Sequence, residues 1–160
     1  MDHEPRNRVL FVCTGNIFRS LTAEYALRDV LGARRDIIVA SAGTEDYPYE
    51  VRPLVRDYLL TRGLDVSGHR RRTLTRPILE EASLVVAMST EHRTTLAEQF
   101  GWYEAPLFTE ACGIGSEPLP DIEEVVKDYK TNYAAVELHV RWTIDRIIEL
   151  TPALARRLLV

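Results

Sequence analysis

Cys13 and Arg19 are the two residues of this chain whose types and spacing can do chemistry together. Val9, Leu10, Phe11 and Val12 form a continuous apolar run that stops at Cys13-Thr14-Gly15-Asn16-Ile17-Phe18-Arg19-Ser20, and a helix-like stretch follows. A short buried strand, a glycine-containing loop and a helix start form a concavity for anions, because loop and helix N-terminal amides point inward where the dipole favours negative charge. A thiol at the head of such a loop sits in a positive field that favours the thiolate, the nucleophilic form. An arginine six residues on can curl back and grip a phosphate with two parallel hydrogen bonds. The implied chemistry is phosphate-ester hydrolysis with a cysteine nucleophile. The bare spacing is weak evidence, and its context carries the weight: the cysteine ends an apolar run, and Gly15 and Asn16 are the residue types that best take a left-handed backbone.

The elements that must position these groups are legible around them. Arg8–Val12 reads as a first strand and Leu21–Leu31 as a helix, with Ala23, Leu27, Val30 and Leu31 on one face and Gly32 ending it. Asp36–Ala40 reads as a second strand, followed by a loop from Ser41 to Tyr49. Pro53–Arg62 reads as a helix closed by Gly63, and Thr75 caps a short helix that opens on Arg76-Pro77. Leu84–Met88 is a third buried strand, Thr90–Phe100 a helix and Pro106–Phe108 a short fourth strand. Val136, Val140, Ile144 and Ile147 mark a long terminal helix from about Thr131. Apolar strands separated by helices imply an α/β fold: an open four-stranded parallel sheet with helices on both faces and a phosphate-binding loop after the first strand. In such sheets ligands sit at the carboxyl ends of the strands, where Cys13 and Ser41 fall.

Composition narrows the function classes. At 160 residues and 46% hydrophobic, residues 1–160 read as one domain, with 1–7 a flexible N-terminus and 151–160 a short packed C-terminal tail. Twenty basic residues against 24 acidic give a net charge of −4, which makes no case for nucleic acid or an anionic membrane. No apolar run approaches a membrane span and the N-terminus has no signal-peptide core. Two cysteines make no disulfide framework, and a cytoplasmic location suits a thiolate.

Val9–Glu24 gives the chain its sharpest likeness. It resembles the low-molecular-weight protein tyrosine phosphatases, small α/β domains that also include thioredoxin-coupled arsenate reductases, and the resemblance extends over nearly the full length. It implies that Cys13 is the nucleophile that becomes phosphocysteine and that Arg19 clamps the phosphate. Thr14, Gly15, Asn16, Ile17, Phe18 and Ser20 are then the substrate-binding loop, in which Asn16 holds the backbone and the Ser20 hydroxyl stabilises the thiolate. Ser41, in Ser-Ala-Gly-Thr, and His69 match positions that brace Asn16 from behind. Tyr47 is expected to form one wall against a phosphotyrosine ring. The Arg70-Arg71-Arg72 run after His69 reads most simply as a solvated face.

A leaving oxygen departs poorly without a proton, so the resemblance also implies a general acid on a late loop. Asp121 in Leu119-Pro120-Asp121 falls at the place where relatives carry an aspartate, although the proline and aromatics that follow it there are absent. Asp128, before Tyr129, is a second candidate. Phe18 replaces a second cysteine that many relatives use to protect the nucleophile, and the remaining thiol, Cys112, reads as structural. Arsenate reductases of the family relay oxidation through a downstream cysteine pair that Leu64–Ala111 lacks. The expected function is phosphomonoester hydrolysis, with protein tyrosine phosphatase favoured. No metal or cofactor is expected, the substrate is a phosphorylated protein and the product inorganic phosphate. Arsenate reduction and a weak phosphate- or phosphoprotein-binding module are the alternatives.

Overall fold

A computed structural model describes residues 7–159 of the chain. Strand β1 (Asn7–Cys13) lies in the middle of a parallel sheet of order β2-β1-β3, flanked by β2 (Ile37–Gly43) and β3 (Leu84–Ala87). Its central place explains its composition: Phe11 and Val12 are buried on opposite faces, so no polar position alternates with the apolar ones. Helices α1 (Arg19–Leu31), α2 (Pro53–Thr61) and α7 (Tyr133–Leu158) cover one face, α1 packing most extensively on α7. The opposite face buries Leu10, Val12 and Val85 against Leu79 of α3 (Arg76–Glu81) and Leu96 of α4 (Thr90–Phe100). Two one-turn helices, α5 (Phe108–Ala111) and α6 (Ile122–Val125), lie between α4 and α7 in the chain.

Five expectations need correction. Among the described residues the sheet has three strands, not four: Pro106–Phe108 gives only an isolated bridge, Ala87 to Leu107, with the Ala87 amide donating to the Pro106 carbonyl at 2.9 Å. Proline has no amide to extend the ladder, and the Glu110 carboxylate accepts from the Leu107 amide at 2.9 Å, turning the chain into α5 instead. Strand β2 runs three residues further than expected, since Ser41, Ala42 and Gly43 pair with Phe11, Val12 and Cys13. Asn7, assigned to a flexible N-terminus, opens β1 opposite Ile37, while the rest of that segment lies outside the described residues. Residues 151–158, expected as a tail, continue α7 through Pro152 and bury Thr151, Leu154 and Ala155. One residue of the expected α1 stripe, Val30, faces solvent.

Candidate active site

Helix α1 starts at Arg19 itself, so residues 14–18 form a tight loop between the end of β1 and the first turn of the helix. The carbonyls at its start are each drawn outward by a separate partner. Cys13 O accepts from the Thr44 amide at 2.8 Å and Thr14 O from the Glu45 amide at 3.1 Å. Gly15 O accepts from Arg71 Nε at 2.9 Å and Asn16 O from His69 Nε2 at 2.9 Å, which fixes the His69 proton on Nε2. Among the described residues, no protein acceptor takes the amides of residues 14–18. Carbonyls out and amides in is the arrangement that receives an anion.

The left-handed position is Asn16, at φ 59°, not Gly15. Gly15 serves close approach: a methyl group there would stand 2.8 Å from the Tyr47 ring. Gly43 matters more, because a methyl group on it would lie 2.6 Å from the Thr14 carbonyl oxygen. Strand β2 therefore supports the loop directly through a residue without a side chain.

Beneath the loop runs a buried polar chain. Glu24 accepts from Arg28 at 2.8 Å and from the Ser41 hydroxyl at 2.6 Å. That aims the Ser41 lone pairs at Asn16 Nδ2, which donates to Ser41 at 2.7 Å and to Ser20 at 2.9 Å. With its lone pair so used, Ser20 has its proton free for Cys13 Sγ, 2.9 Å away. Asn16 Oδ1 accepts from the Arg72 amide at 3.1 Å, and Arg72 Nε donates to Ser41 O at 3.0 Å. Asn16 and Ser20, expected to touch substrate, are fully buried and do not line the cleft. The arginine run is not simply a solvated face: Arg70 and Arg72 are exposed and Arg71 half-buried, yet Arg71 holds the loop's backbone and Arg72 its support.

A cleft of about 370 Å³ opens above the loop, lined by Cys13, Thr14, Gly15, Ile17, Phe18 and Arg19. Tyr47 forms part of one side, edge-on to Tyr49 with ring centroids 4.9 Å apart. Partial burial first, then Glu123 and Asp121, push the Tyr47 phenol above its ordinary pKa, so it stays a neutral hydroxyl. Arg19 is almost wholly buried; its Nη1 donates to Leu119 O at 2.9 Å, and its Nη2 lies 3.4 Å from Asp121 Oδ2. Asp121 lines the cleft, and its Oδ1 accepts from the Ile122 amide at 2.8 Å. The segment that carries it is pinned at two points, Leu119 N to Met88 O at 3.0 Å and Pro120 O to His139 Nε2 at 3.0 Å. Asp128 is not at the cleft; its carboxylate accepts from Asn132 Nδ2 at the start of α7. Cys112 is buried elsewhere, and burial pushes its thiol up to about 11.

Sequence reasoning missed Glu91 and His92, which line the same cleft from the first turn of α4, and also Glu24 beneath the loop and His139 behind the Asp121 segment, neither of which lines it. The one signal was Ser89-Thr90-Glu91-His92, a capping pattern with histidine where glutamate or glutamine is usual.

The model of the family described as "Low molecular weight phosphotyrosine protein phosphatase" matches residues 8–110, more than half of the chain. A protein-arginine-phosphatase of Bacillus subtilis is 31% identical over 108 residues, which cover 63% of this chain and 68% of that protein. The low molecular weight protein-tyrosine-phosphatase Etp of Escherichia coli is 34% identical over 87 residues, 54% of this chain and 57% of Etp. In three dimensions the chain is similar to a crystal structure of a YwlE mutant from Bacillus subtilis, with a TM-score of 0.80 at 26% identity over 96% of this chain and 99% of that one.

Proposed function

This chain belongs to the low molecular weight phosphotyrosine protein phosphatase family, a family of cysteine-dependent hydrolases, and on that premise we propose that it hydrolyses phosphomonoesters on protein substrates, phosphotyrosine first, through a phosphocysteine. The observation that carries the proposal is the loop that follows Cys13: the carbonyls of residues 13–16 are each taken by a donor outside the loop, while among the described residues no protein acceptor takes the amides of residues 14–18.

In this mechanism the loop amides and Arg19 bind the three non-bridging phosphate oxygens, and Ile17, Phe18 and Tyr47 flank the group that carries them. Cys13 Sγ attacks phosphorus as the bond to the leaving oxygen breaks, and Asp121 delivers the proton that oxygen needs. Charge gathers on the equatorial oxygens, where preorganised donors count most. Water then attacks phosphocysteine, giving its proton to the Asp121 carboxylate, and the S–P bond breaks to release inorganic phosphate. The Ser20 hydroxyl, aimed at Sγ, stabilises the departing thiolate. Ser41 and His69 act from behind, through Asn16. The nucleophile, the cation and the acid are all side chains of this chain, so the mechanism needs no metal or cofactor. A reducing, cytoplasmic setting suits it, and among the described residues no helix is long and apolar enough to cross a membrane.

A second substrate, phosphoarginine, is favoured by the carboxylates of Glu45, Glu91, Asp121, Glu123 and Glu124 around the cleft, which suit a cationic leaving group. Arsenate reduction is not favoured, because a relay needs reactive thiols and burial keeps Cys112 protonated. A weak binding module would hold phosphate without turning esters over. The test is hydrolysis of para-nitrophenyl phosphate beside phosphotyrosine, phosphoarginine and phosphoserine peptides, with Cys13→Ser as the blank. Turnover in wild type, none in Cys13→Ser and retained phosphate binding in that variant are expected, whereas Arg19→Ala should lose both binding and rate. Activity in purified Cys13→Ser would sink the mechanism.

A further inference from the structure

The Thr14 hydroxyl is the point where the loop, Arg19 and helix α4 meet. His92, the third residue of α4, is 1% exposed. Its Nδ1 accepts from the Ser89 amide at 3.1 Å, which puts the ring proton on Nε2, and Nε2 donates to Thr14 Oγ1 at 2.9 Å. The Thr14 hydroxyl donates to Glu91 Oε1 at 3.3 Å, and its remaining lone pair accepts from Arg19 Nη2 at 3.5 Å. One donor and two acceptors are all a hydroxyl has, and all are used. Glu91 also faces Arg19, Oε1 to Nη2 at 3.9 Å. A side chain present only to cap α4 would need a single acceptor, as glutamate or glutamine supplies at this position. The second nitrogen of a buried imidazole must find its own partner, and here that partner is the first residue of the loop.

Resting on the reading of this cleft as a phosphatase site, we propose that His92 is a positioning residue: through Thr14, and with Glu91, it sets the start of the loop and the Nη2 edge of Arg19 in the orientation that receives the oxyanion. Helix α4 is then a third support of the loop, beside β2 and the segment of residues 69–72.

The test uses His92→Asn, His92→Gln, Thr14→Val and the double variant His92→Asn/Thr14→Val. Asparagine keeps an acceptor for the Ser89 amide but ends short of Thr14, glutamine reaches it with an amide N–H, and valine removes the hydroxyl at equal shape. The readouts are kcat and KM for para-nitrophenyl phosphate, the binding constant for inorganic phosphate, and Tm. His92→Asn and Thr14→Val should each lower kcat/KM about tenfold, the order of one buried hydrogen bond, and weaken phosphate binding severalfold. His92→Gln should recover most of both, and the double variant should be little worse than either single one. Wild-type kcat/KM and phosphate affinity in His92→Asn, or losses that multiply in the double variant, would overturn the proposal. If His92→Asn does not fold, Thr14→Val decides alone, since it leaves the helix cap intact; unchanged phosphate affinity there overturns it. A wild type that binds phosphate without turning over the aryl ester defeats the phosphatase reading, and the phosphate affinities of the variants still decide the role of His92.

Discussion

Arg19 Nη2 and Asp121 Oδ2 stand 3.4 Å apart, joining the first turn of α1 to a segment a hundred residues later. A phosphate entering the cleft competes with that carboxylate for the guanidinium. Asp121→Asn should therefore have two effects of opposite sign. It should lower kcat by about 10²–10⁴-fold, the range for a general acid, and it should bind inorganic phosphate more tightly, since an anion beside the site is gone. The kcat loss should shrink for leaving groups that need no proton. Asp128→Asn, altered at the start of α7, should change neither; if it shows this pattern and Asp121→Asn does not, the acid is Asp128.

Gly43→Ala tests the support under the loop. The added methyl group meets the Thr14 carbonyl, which is backbone and cannot swing away, so about 1–3 kcal/mol of stability should be lost, together with most of the activity. Gly68→Ala, where a methyl group meets nothing within 4 Å, is the control. Equal Tm and kcat in the two variants would show that the loop is not seated on β2.

The two thiols should behave differently. Iodoacetamide at neutral pH should label Cys13, which lines the cleft, before Cys112, whose burial holds its pKa up at about 11 against the pull of Arg157 and Arg146. Phosphate should protect Cys13. With Phe18 beside the nucleophile in place of a second thiol, peroxide should carry Cys13 beyond sulfenic acid, so that dithiothreitol restores less activity the longer the exposure. Peptide mass analysis after timed treatment checks this; full recovery with a Cys13–Cys112 disulfide is the contrary result.

His92 should leave a mark on acid stability. Burial, then the charge of Arg19, lowers its pKa from 6.5 to about 3, and the half-exposed Glu91 carboxylate 3.3 Å from Nε2 does not reverse that. The unfolded chain takes up a proton below about 6.5 that the folded chain refuses until about 3. Stability from this group is thus complete above pH 6.5 and falls as the pH drops through that window. Urea midpoints of wild type should decline more steeply between pH 6.5 and 4 than those of His92→Gln; parallel curves would count against it.

The strand, loop and helix around Cys13 were legible because each is local: an apolar run, a residue type that tolerates positive φ and a helical pattern follow one another within some twenty residues. Pro106–Phe108 misled because three apolar residues suit a strand or a helix start equally, and the reach of Glu110 back to Leu107 decides between them. Arg71 and Arg72 misled because a charge run does not say where its guanidinium groups point. Glu24 and His92 carried no local oddity strong enough to mark them.

By itself, the sequence determined the parallel α/β class and the loop from Cys13 to Arg19 between a strand and a helix, since consecutive residues keep their spacing in any packing. Only the tertiary structure places Asp121 at the cleft and Asp128 away from it, seven residues apart on one stretch of chain. The contacts of Leu119 with Met88 and Arg19, and of Pro120 with His139, bring the first to the cleft, while Asn132 holds the second at the start of α7. The same holds for the arrival of His92 at Thr14 and of Arg71 at Gly15. Those meetings depend on the direction of side chains from elements far apart in sequence, which sheet register and helix packing set and residue order does not.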